Sequence, residues 1–308
     1  MKRNLAKIIV IVGPTATGKS DLAVRLARRF GGEVVSADSR QVYRGLDVGS
    51  GKITKREMKG VPHHMLDIAR PATAYTVDAY TNDAGRAIAD ILRRGRLPIV
   101  AGGTGFYIDA LVRGEEFPHV PPDQRLRKRL SARTPAALMK EIARLDPKRA
   151  RSLDPFNKVR IIRAIEIARA LGSVPRVRRS RRYDALYIGI ALPSAELRAK
   201  IHARLLKRMR GGRMEKEVAR LHASGLSWNR LYALGLEYRY VSLYLRKKLT
   251  KKDMLAKLET EIAQYARRQM QWFRRNKDIL WFEPKDALKI ESAFGRWIRS
   301  RGRKVASR

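Results

Sequence analysis

Four residues spaced as GxxxxGK[ST] carry the clearest chemistry in this chain: Gly13, Gly18, Lys19 and Ser20, within IVGPTATGKSDLAV (11–24). The turn Gly13-Pro14-Thr15-Ala16-Thr17-Gly18 can aim backbone N–H groups at phosphate oxygens. The Lys19 ammonium neutralises them, and the Ser20 hydroxyl is a ligand for Mg²⁺. Such a loop recognises a pyrophosphate and its metal, and leaves open which molecule carries the pyrophosphate. A second cluster, VVSADSRQVY (34–43), sets Asp38 beside Ser39, Arg40 and Gln41. A carboxylate there can hold Mg²⁺, act as general base for an incoming nucleophile, or cap an Asx turn. A third, AGGTGFY (101–107), combines Gly102, Gly103 and Gly105 with the hydroxyl of Thr104. Close backbone approach to a ligand and a plain strand-to-helix turn explain it equally well.

These groups need elements to hold them, and the first third of the chain alternates strand and helix signals as a parallel α/β sheet does. Lys7–Val12 is a continuous apolar run suited to a buried strand. Ser20–Phe30 follows as a helix with Leu22, Leu26 and Phe30 on one face, closed by Gly31 and Gly32. Glu33–Ala37 predicts a second strand ending at Asp38, Tyr75–Arg94 a long helix, and Leu97–Ala101 a third strand running into the glycines. Strand ends followed by loops are where α/β sheets place ligands. This third strand ends in Gly rather than in the Asp a P-loop hydrolase uses for its metal, which leaves Asp38 for that role. From Pro118 to Arg182 the pattern changes to charged helical segments ending in RVRRSRR, read as a phosphate-tracking arm or linker. A strand at 185–192, further helices and a short strand near Ile279–Phe282 complete the chain, and GRKVASR at the C-terminus is expected to fray. The fold class expected is therefore α/β. Residues 1–117 and 183–308 form a P-loop core with a parallel sheet, and 118–182 form a mostly helical insertion.

Composition bounds the partners. The 68 basic residues exceed the 29 acidic ones by enough to give a net charge of +39. That surface favours polyanions and gains affinity by releasing their counterions, so nucleic acid is the leading partner. The alternative is a basic proteome with solvated Lys and Arg faces and no nucleic-acid role. The absence of cysteine excludes disulfides, thiolate metal sites and Cys nucleophiles, and agrees with a cytoplasmic setting. The apolar stretch after MKRN is too short for a membrane span and runs straight into the phosphate loop, so it reads as a strand rather than a signal peptide.

GPTATGKS, ADSRQVY, VPHHMLDI (61–68), AGGTGFY, RIIRAIE (160–166) and QYARRQMQWF (264–273), in this order over nearly the whole chain, resemble the tRNA dimethylallyltransferase family. The resemblance implies transfer of a dimethylallyl group from dimethylallyl diphosphate to the exocyclic amine of adenosine 37, with the phosphate loop holding the prenyl diphosphate and Mg²⁺. It further implies Asp38 as general base, Thr15 and Thr104 as positioning groups, and Arg204 as a diphosphate contact. Residues 38–41 would read a base flipped out of the anticodon stem-loop. Arg125, Arg160, Arg163 and the stripe Gln264, Arg267, Arg268, Gln271 and Arg275 match segments that contact tRNA. Leu255, Leu258, Ile262, Tyr265 and Trp272 form the apolar side of that helix. A soluble, cytoplasmic monomer is expected.

Four departures from the family pattern stand out. GSGKI (49–53) replaces GTAKP, Phe156-Asn157 replaces the Asn-Asp before RxxRAxE, and Glu237 stands where a GYRE-like turn has glycine. One extra residue also lies between Ile201 and Met209, the stretch that holds Arg204. Other classes share the phosphate loop: a small-molecule kinase, an isopentenyltransferase acting on free adenine nucleotides, and a non-catalytic RNA-binding protein.

Overall fold

A computed structural model describes residues 5–299. The first strand, β1 (Ala6–Val12), is followed by α1 (Lys19–Phe30), β2 (Gly32–Ser36), α2 (Lys55–Met58), β3 (His63–His64), α3 (Val77–Arg93), β4 (Leu97–Ala101) and α4 (Gly105–Arg113). After β5 (Glu115–Glu116) and β6 (Arg178–Arg179), the sheet resumes at β7 (Tyr183–Ile190) and ends with β8 (Leu280–Phe282). All five pairings in the order β3-β2-β4-β1-β7-β8 are parallel. The chain is an α/β protein with a parallel sheet, as its alternating pattern predicts.

The central strand shows why the apolar runs are continuous. Ile8, Val10 and Val12 pack on one face of the sheet with Tyr80, Ile88 and Ile91 of α3 and with Ile108 and Leu111 of α4. Ile9 and Ile11 pack on the other with Leu22, Leu26 and Ala27 of α1 and with Ile290 and Phe294 of α14 (Ala287–Arg299). A strand covered on both faces cannot alternate apolar with polar. The short strand β3 has no such run and is absent from the sequence expectation. Its His64 reaches the buried Glu33 carboxylate at 2.7 Å, and Arg94 holds the same oxygen at 2.7 Å. The second histidine of VPHHMLDI is thus an edge-strand anchor, while the His63 ring meets the Val61 carbonyl at 2.9 Å.

A third cluster lies in the helices after β7: α9 (Ser194–Met209), α10 (Arg213–Ala223), α11 (Trp228–Leu234), α12 (Leu236–Leu245) and α13 (Lys251–Phe273). They enclose Val42, Tyr43 and Leu46 from the segment after β2. This ties the Asp38 loop to the C-terminal helices.

Residues 115–180 form a separate compact unit, against the 118–182 expected, and residues 1–114 with 181–308 form the other. The smaller unit contains β5 (Glu115–Glu116), α5 (Gln124–Ser131), α6 (Pro135–Leu145), α7 (Pro147–Arg151), α8 (Lys158–Leu171) and β6 (Arg178–Arg179). Its core is Leu130, Leu138, Ile142, Ile161 and Ile165. Part of RVRRSRR is not the free arm read from sequence. Arg178 and Arg179 pair antiparallel with Glu116 and Glu115, and Arg179 Nε donates to the Glu115 carboxylate at 3.0 Å. The closing GRKVASR lies outside the described residues.

Candidate active site

Three strand ends converge at one edge of the sheet: β1, β2 and β4, with the phosphate loop after the first, Asp38 after the second and Gly102–Thr104 after the third. In the phosphate loop, Gly18 is the N-cap of α1 in the left-handed region (φ 85°) and supplies no side-chain cap. The first amides of the helix therefore face the loop's concave side as anion donors. Thr17 Oγ1 donates to the Pro14 carbonyl at 2.9 Å, and Lys19 Nζ donates to the same oxygen at 2.5 Å, so the lysine is curled over the cradle. Burial, reinforced by the Arg204 guanidinium and opposed by Asp38, pushes the Lys19 ammonium down to about 7. Ser20 is exposed on the first turn of α1. Among the described residues no three His, Asp or Glu side chains form a metal-sized cluster. Mg²⁺ bound through one hydroxyl and phosphate oxygens needs none, so the donor set fits that ion.

Asp38 carries two of the sequence readings at once. Its Oδ1 accepts the Arg40 N–H at 2.8 Å and the Gln41 N–H at 3.2 Å, which is an Asx turn. Its Oδ2 has no hydrogen-bond partner among the described residues and is the oxygen available for proton transfer. Thr104 brackets this turn: its N–H donates to the Ala37 carbonyl at 3.1 Å, and its hydroxyl accepts the Ser39 N–H at 3.0 Å. The Tyr265 phenol, hydrogen-bonded to Thr104 and close to Asp38, is held above its usual pKa by burial and by that carboxylate. Arg40, expected to help read the base, has its Nε committed to the fold: it donates to the Leu234 carbonyl at 2.6 Å and fastens the Asp38 loop to α11.

Sequence reasoning missed Gln269. This side chain is 6% exposed, accepts the Thr15 N–H at 2.8 Å and donates to the Gly103 carbonyl at 2.9 Å. It joins two of the three loops in a single amide. A Cβ on Gly103 would stand 2.1 Å from Gln269 Nε2, so the glycine permits the contact. The signal was present: Leu258, Ile262, Ala266 and Phe273 are the buried face of α13, and Gln269 falls on it as the polar exception. Sequence reading put Leu255, Tyr265 and Trp272 on that face; they lie at its half-buried margin.

Arg204, placed by the resemblance, does reach the phosphate loop. Its Nη1 lies 3.5 Å from Thr15 Oγ1, and Nη2 donates to the Gly51 carbonyl at 3.1 Å. Burial and the neighbouring Arg208 lower its pKa. The GSGKI departure now has a local reason. Gly51 has φ 60°, and a Cβ there would lie 2.2 Å from Arg204 Nη2. The buried Glu217 carboxylate positions this loop, accepting the N–H groups of Asp47, Val48 and Gly49 at 3.0, 2.6 and 2.9 Å. Glu237, another of the departures, pairs with Arg208 at 2.8 Å.

The expected RNA-facing cations divide. Gln264, Arg267, Arg268 and Gln271 form an exposed stripe on α13, Arg275 is exposed in the turn just after it, and in the smaller unit Arg125 and Arg160 are exposed. Arg163 is spent inside that unit, donating to Glu166 at 3.3 Å and to the Val120 carbonyl at 2.8 Å.

A parallel sheet with a phosphate loop after β1, a carboxylate after β2 and an arginine closing the loop from α9 defines a P-loop α/β protein built around an anion cradle. Comparison with known proteins narrows the class. A family model described as IPP transferase matches residues 41–276. A tRNA dimethylallyltransferase of Hahella chejuensis is 43% identical over 288 residues, covering 92% of this chain and 93% of the relative. One from Roseiflexus is 41% identical over 291 residues, covering 92% and 95%. The crystal structure of a full-length tRNA isopentenylpyrophosphate transferase from Bacillus halodurans matches with a TM-score of 0.72 at 33% identity, covering 95% of this chain and 96% of that one. The chain belongs to the IPP transferase family.

Proposed function

We propose that this protein is a tRNA dimethylallyltransferase: it moves the dimethylallyl group of dimethylallyl diphosphate to the N6 amine of adenosine 37 in the anticodon stem-loop of tRNA, releasing diphosphate. The observation that carries this reading is the pairing of a phosphate-loop cradle with a carboxylate that keeps one oxygen uncommitted, while β4 ends at Ala101 and is followed by Gly102 without the acidic residue of a phosphoryl-transfer site. The identities with tRNA dimethylallyltransferases over more than nine-tenths of the chain support the substrate pair.

In that reaction the allylic C1–O bond breaks and the C1–N6 bond forms. Negative charge grows on the departing diphosphate, where the α1 amides, Lys19 and Arg204 stabilise it without reorganising. Ser20 and the diphosphate oxygens would hold Mg²⁺, which supplies further neutralisation of the leaving group. The adenine amine is a weak nucleophile and sheds one proton as it is alkylated; Asp38 Oδ2 receives it. The turn bonds at Oδ1 fix the direction of Oδ2, and Thr104 fixes the turn, so both are positioning devices. The base must leave its stack to reach this edge of the sheet. The exposed cations of α13 and of the helical unit supply the sequence-independent attraction for the RNA. We place the protein in the cytoplasm as a monomer; among the described residues no helix is long and apolar enough to cross a membrane.

The test is mass spectrometry of tRNA incubated with dimethylallyl diphosphate and Mg²⁺, with ATP as competing donor and free AMP as competing acceptor. A prenyl mass on the tRNA adenosine is expected; phosphoryl transfer, or prenylation of AMP alone, would reject the reading.

A further inference from the structure

The smaller unit presents one aromatic ring to solvent. Phe156 is 88% exposed and Val159, three residues on, is 79% exposed. The local structure offers the ring a place that it does not take. Asn157 is the N-cap of α8, its side chain accepting the Arg160 N–H, so Phe156 stands at N′ and the buried Ile161 at N4. That is the arrangement of a hydrophobic staple, in which the two side chains pack together. Here Ile161 is 0% exposed and Phe156 is left out.

The outward pose is built on a fixed turn. Asp154 Oδ1 accepts the Phe156 N–H at 3.0 Å, and the Asp154 carbonyl accepts the Asn157 N–H at 3.1 Å. The flanking segment 151–160 carries Arg151, Lys158 and Arg160 against the single carboxylate of Asp154. Arg151 and Arg160 are exposed on either side in sequence, while Glu166, Glu141 and Glu115 of the same unit are each engaged by arginines. An exposed aromatic face on a fixed turn, flanked in sequence by exposed guanidinium groups, complements a flat apolar group carried on a polyanion.

We propose that Phe156 is a stacking platform for an unpaired nucleobase of the RNA substrate, flanked by phosphate contacts from Arg151 and Arg160. The inference rests on the RNA-modifying reading above and adds a base contact outside the cradle. Stacking on an exposed ring is indifferent to base identity, because every base has a π face. The contact therefore reports whether a loop is open, not what its sequence is.

The test compares the binding of a stem-loop RNA and of a blunt duplex with the same stem. Phe156→Ala should weaken stem-loop binding by about tenfold and leave duplex binding unchanged. Phe156→Trp should restore it, and Phe156→Leu, which keeps apolar area but no ring, should behave as the alanine variant does. Exposure makes misfolding an implausible cause, and an unchanged circular dichroism melt controls for it. Equal affinity of Phe156→Ala and the parent, or equal loss on both RNAs, overturns the proposal. So does full rescue by leucine, or a dimer or vesicle association that Phe156→Ala abolishes; these outcomes assign the patch to a protein or lipid surface. Prenyl transfer by the unmodified protein is read in parallel. Its failure with the Phe156 effect intact would reject the enzymatic reading and leave the stacking site.

Discussion

Replacing Gln269 by alanine removes the one side chain that hydrogen-bonds both the phosphate loop and the Gly103 turn. The Gly103 carbonyl then loses a buried donor and the Thr15 N–H loses its acceptor. An unsatisfied buried polar group costs about 1–3 kcal/mol. Water can reach the cradle side of Thr15, so its share falls at the lower end, and the sum is about 2–4 kcal/mol of folding stability. The freed loop should also hold diphosphate about tenfold more weakly, because the cradle must now be ordered as the ligand binds. The glutamate variant separates the two bonds: a carboxylate still accepts from Thr15 but cannot donate to Gly103, and it sets a negative charge beside the cradle. It should therefore bind diphosphate worse than the alanine variant and be no more stable, because a buried carboxylate oxygen then faces the Gly103 carbonyl. Urea denaturation followed by circular dichroism reads the first quantity, and calorimetric titration with diphosphate and Mg²⁺ the second. Gln271→Ala, two residues away on the exposed stripe, is the control and should lie within about 0.5 kcal/mol of the parent. Were Gln269→Ala to melt and bind as Gln271→Ala does, the claim that this amide couples the two loops would be wrong.

Asp38→Asn preserves an acceptor for the Arg40 and Gln41 amides while removing the base, so prenyl transfer should fall by about 10²–10⁴-fold at nearly unchanged tRNA affinity in filter binding. With Lys19 held at about 7 in the free protein and raised by a bound anion, diphosphate binding should take up close to one more proton at pH 8 than in Lys19→Met, and almost none more at pH 6. The affinity advantage that Lys19 confers is thus complete below pH 7 and declines above it; calorimetry in buffers of different ionisation enthalpy measures the uptake. Gly51→Ala, which restores the family's residue, should cost about 1 kcal/mol in the left-handed region and displace Arg204, weakening diphosphate binding severalfold in the same titration. Arg125→Ala and Arg160→Ala should each reduce the salt dependence of RNA binding by about one counterion, whereas Arg163→Ala should lower the melting temperature instead, since that side chain is bound to Glu166 and Val120.

The legible part of this molecule is the part written in local rules. A buried parallel strand needs an unbroken apolar run, a phosphate loop needs glycines and a lysine in fixed order, and both could be read directly between Lys7 and Ser20. Asp38 could be placed at a strand end but not assigned a role from its own neighbourhood, because an Asx turn and a general base ask for the same residue. The structure shows that the two are compatible: one oxygen makes the turn and the other is left over. Illegible were the contacts between residues far apart in the chain. Arg40 looks like a ligand-facing cation until Leu234, nearly two hundred residues later, is seen to accept its Nε. Arg163 looks like its neighbour Arg160 until the fold of the helical unit brings Val120 to it. No periodicity encodes which of two surface arginines will find an internal acceptor.

The misses nevertheless share a signature that sequence does carry. Gln269, Glu217 and Glu166 are each polar residues on the buried face of a helix, at 6%, 5% and 3% exposure. A buried carboxylate or amide survives only where several donors or acceptors meet it. Each of these three meets backbone: Thr15 and Gly103, the run Asp47–Gly49, and Asp123. These particular backbone groups have no backbone partner among the described residues, and two of the segments carry the cradle and the loop that holds Arg204. A polar residue breaking an apolar helical face is thus the sequence trace of an irregular loop that must be held still. In this chain it identifies Gln269 and Glu217 as the supports of the reacting groups, although neither resembles a catalytic residue.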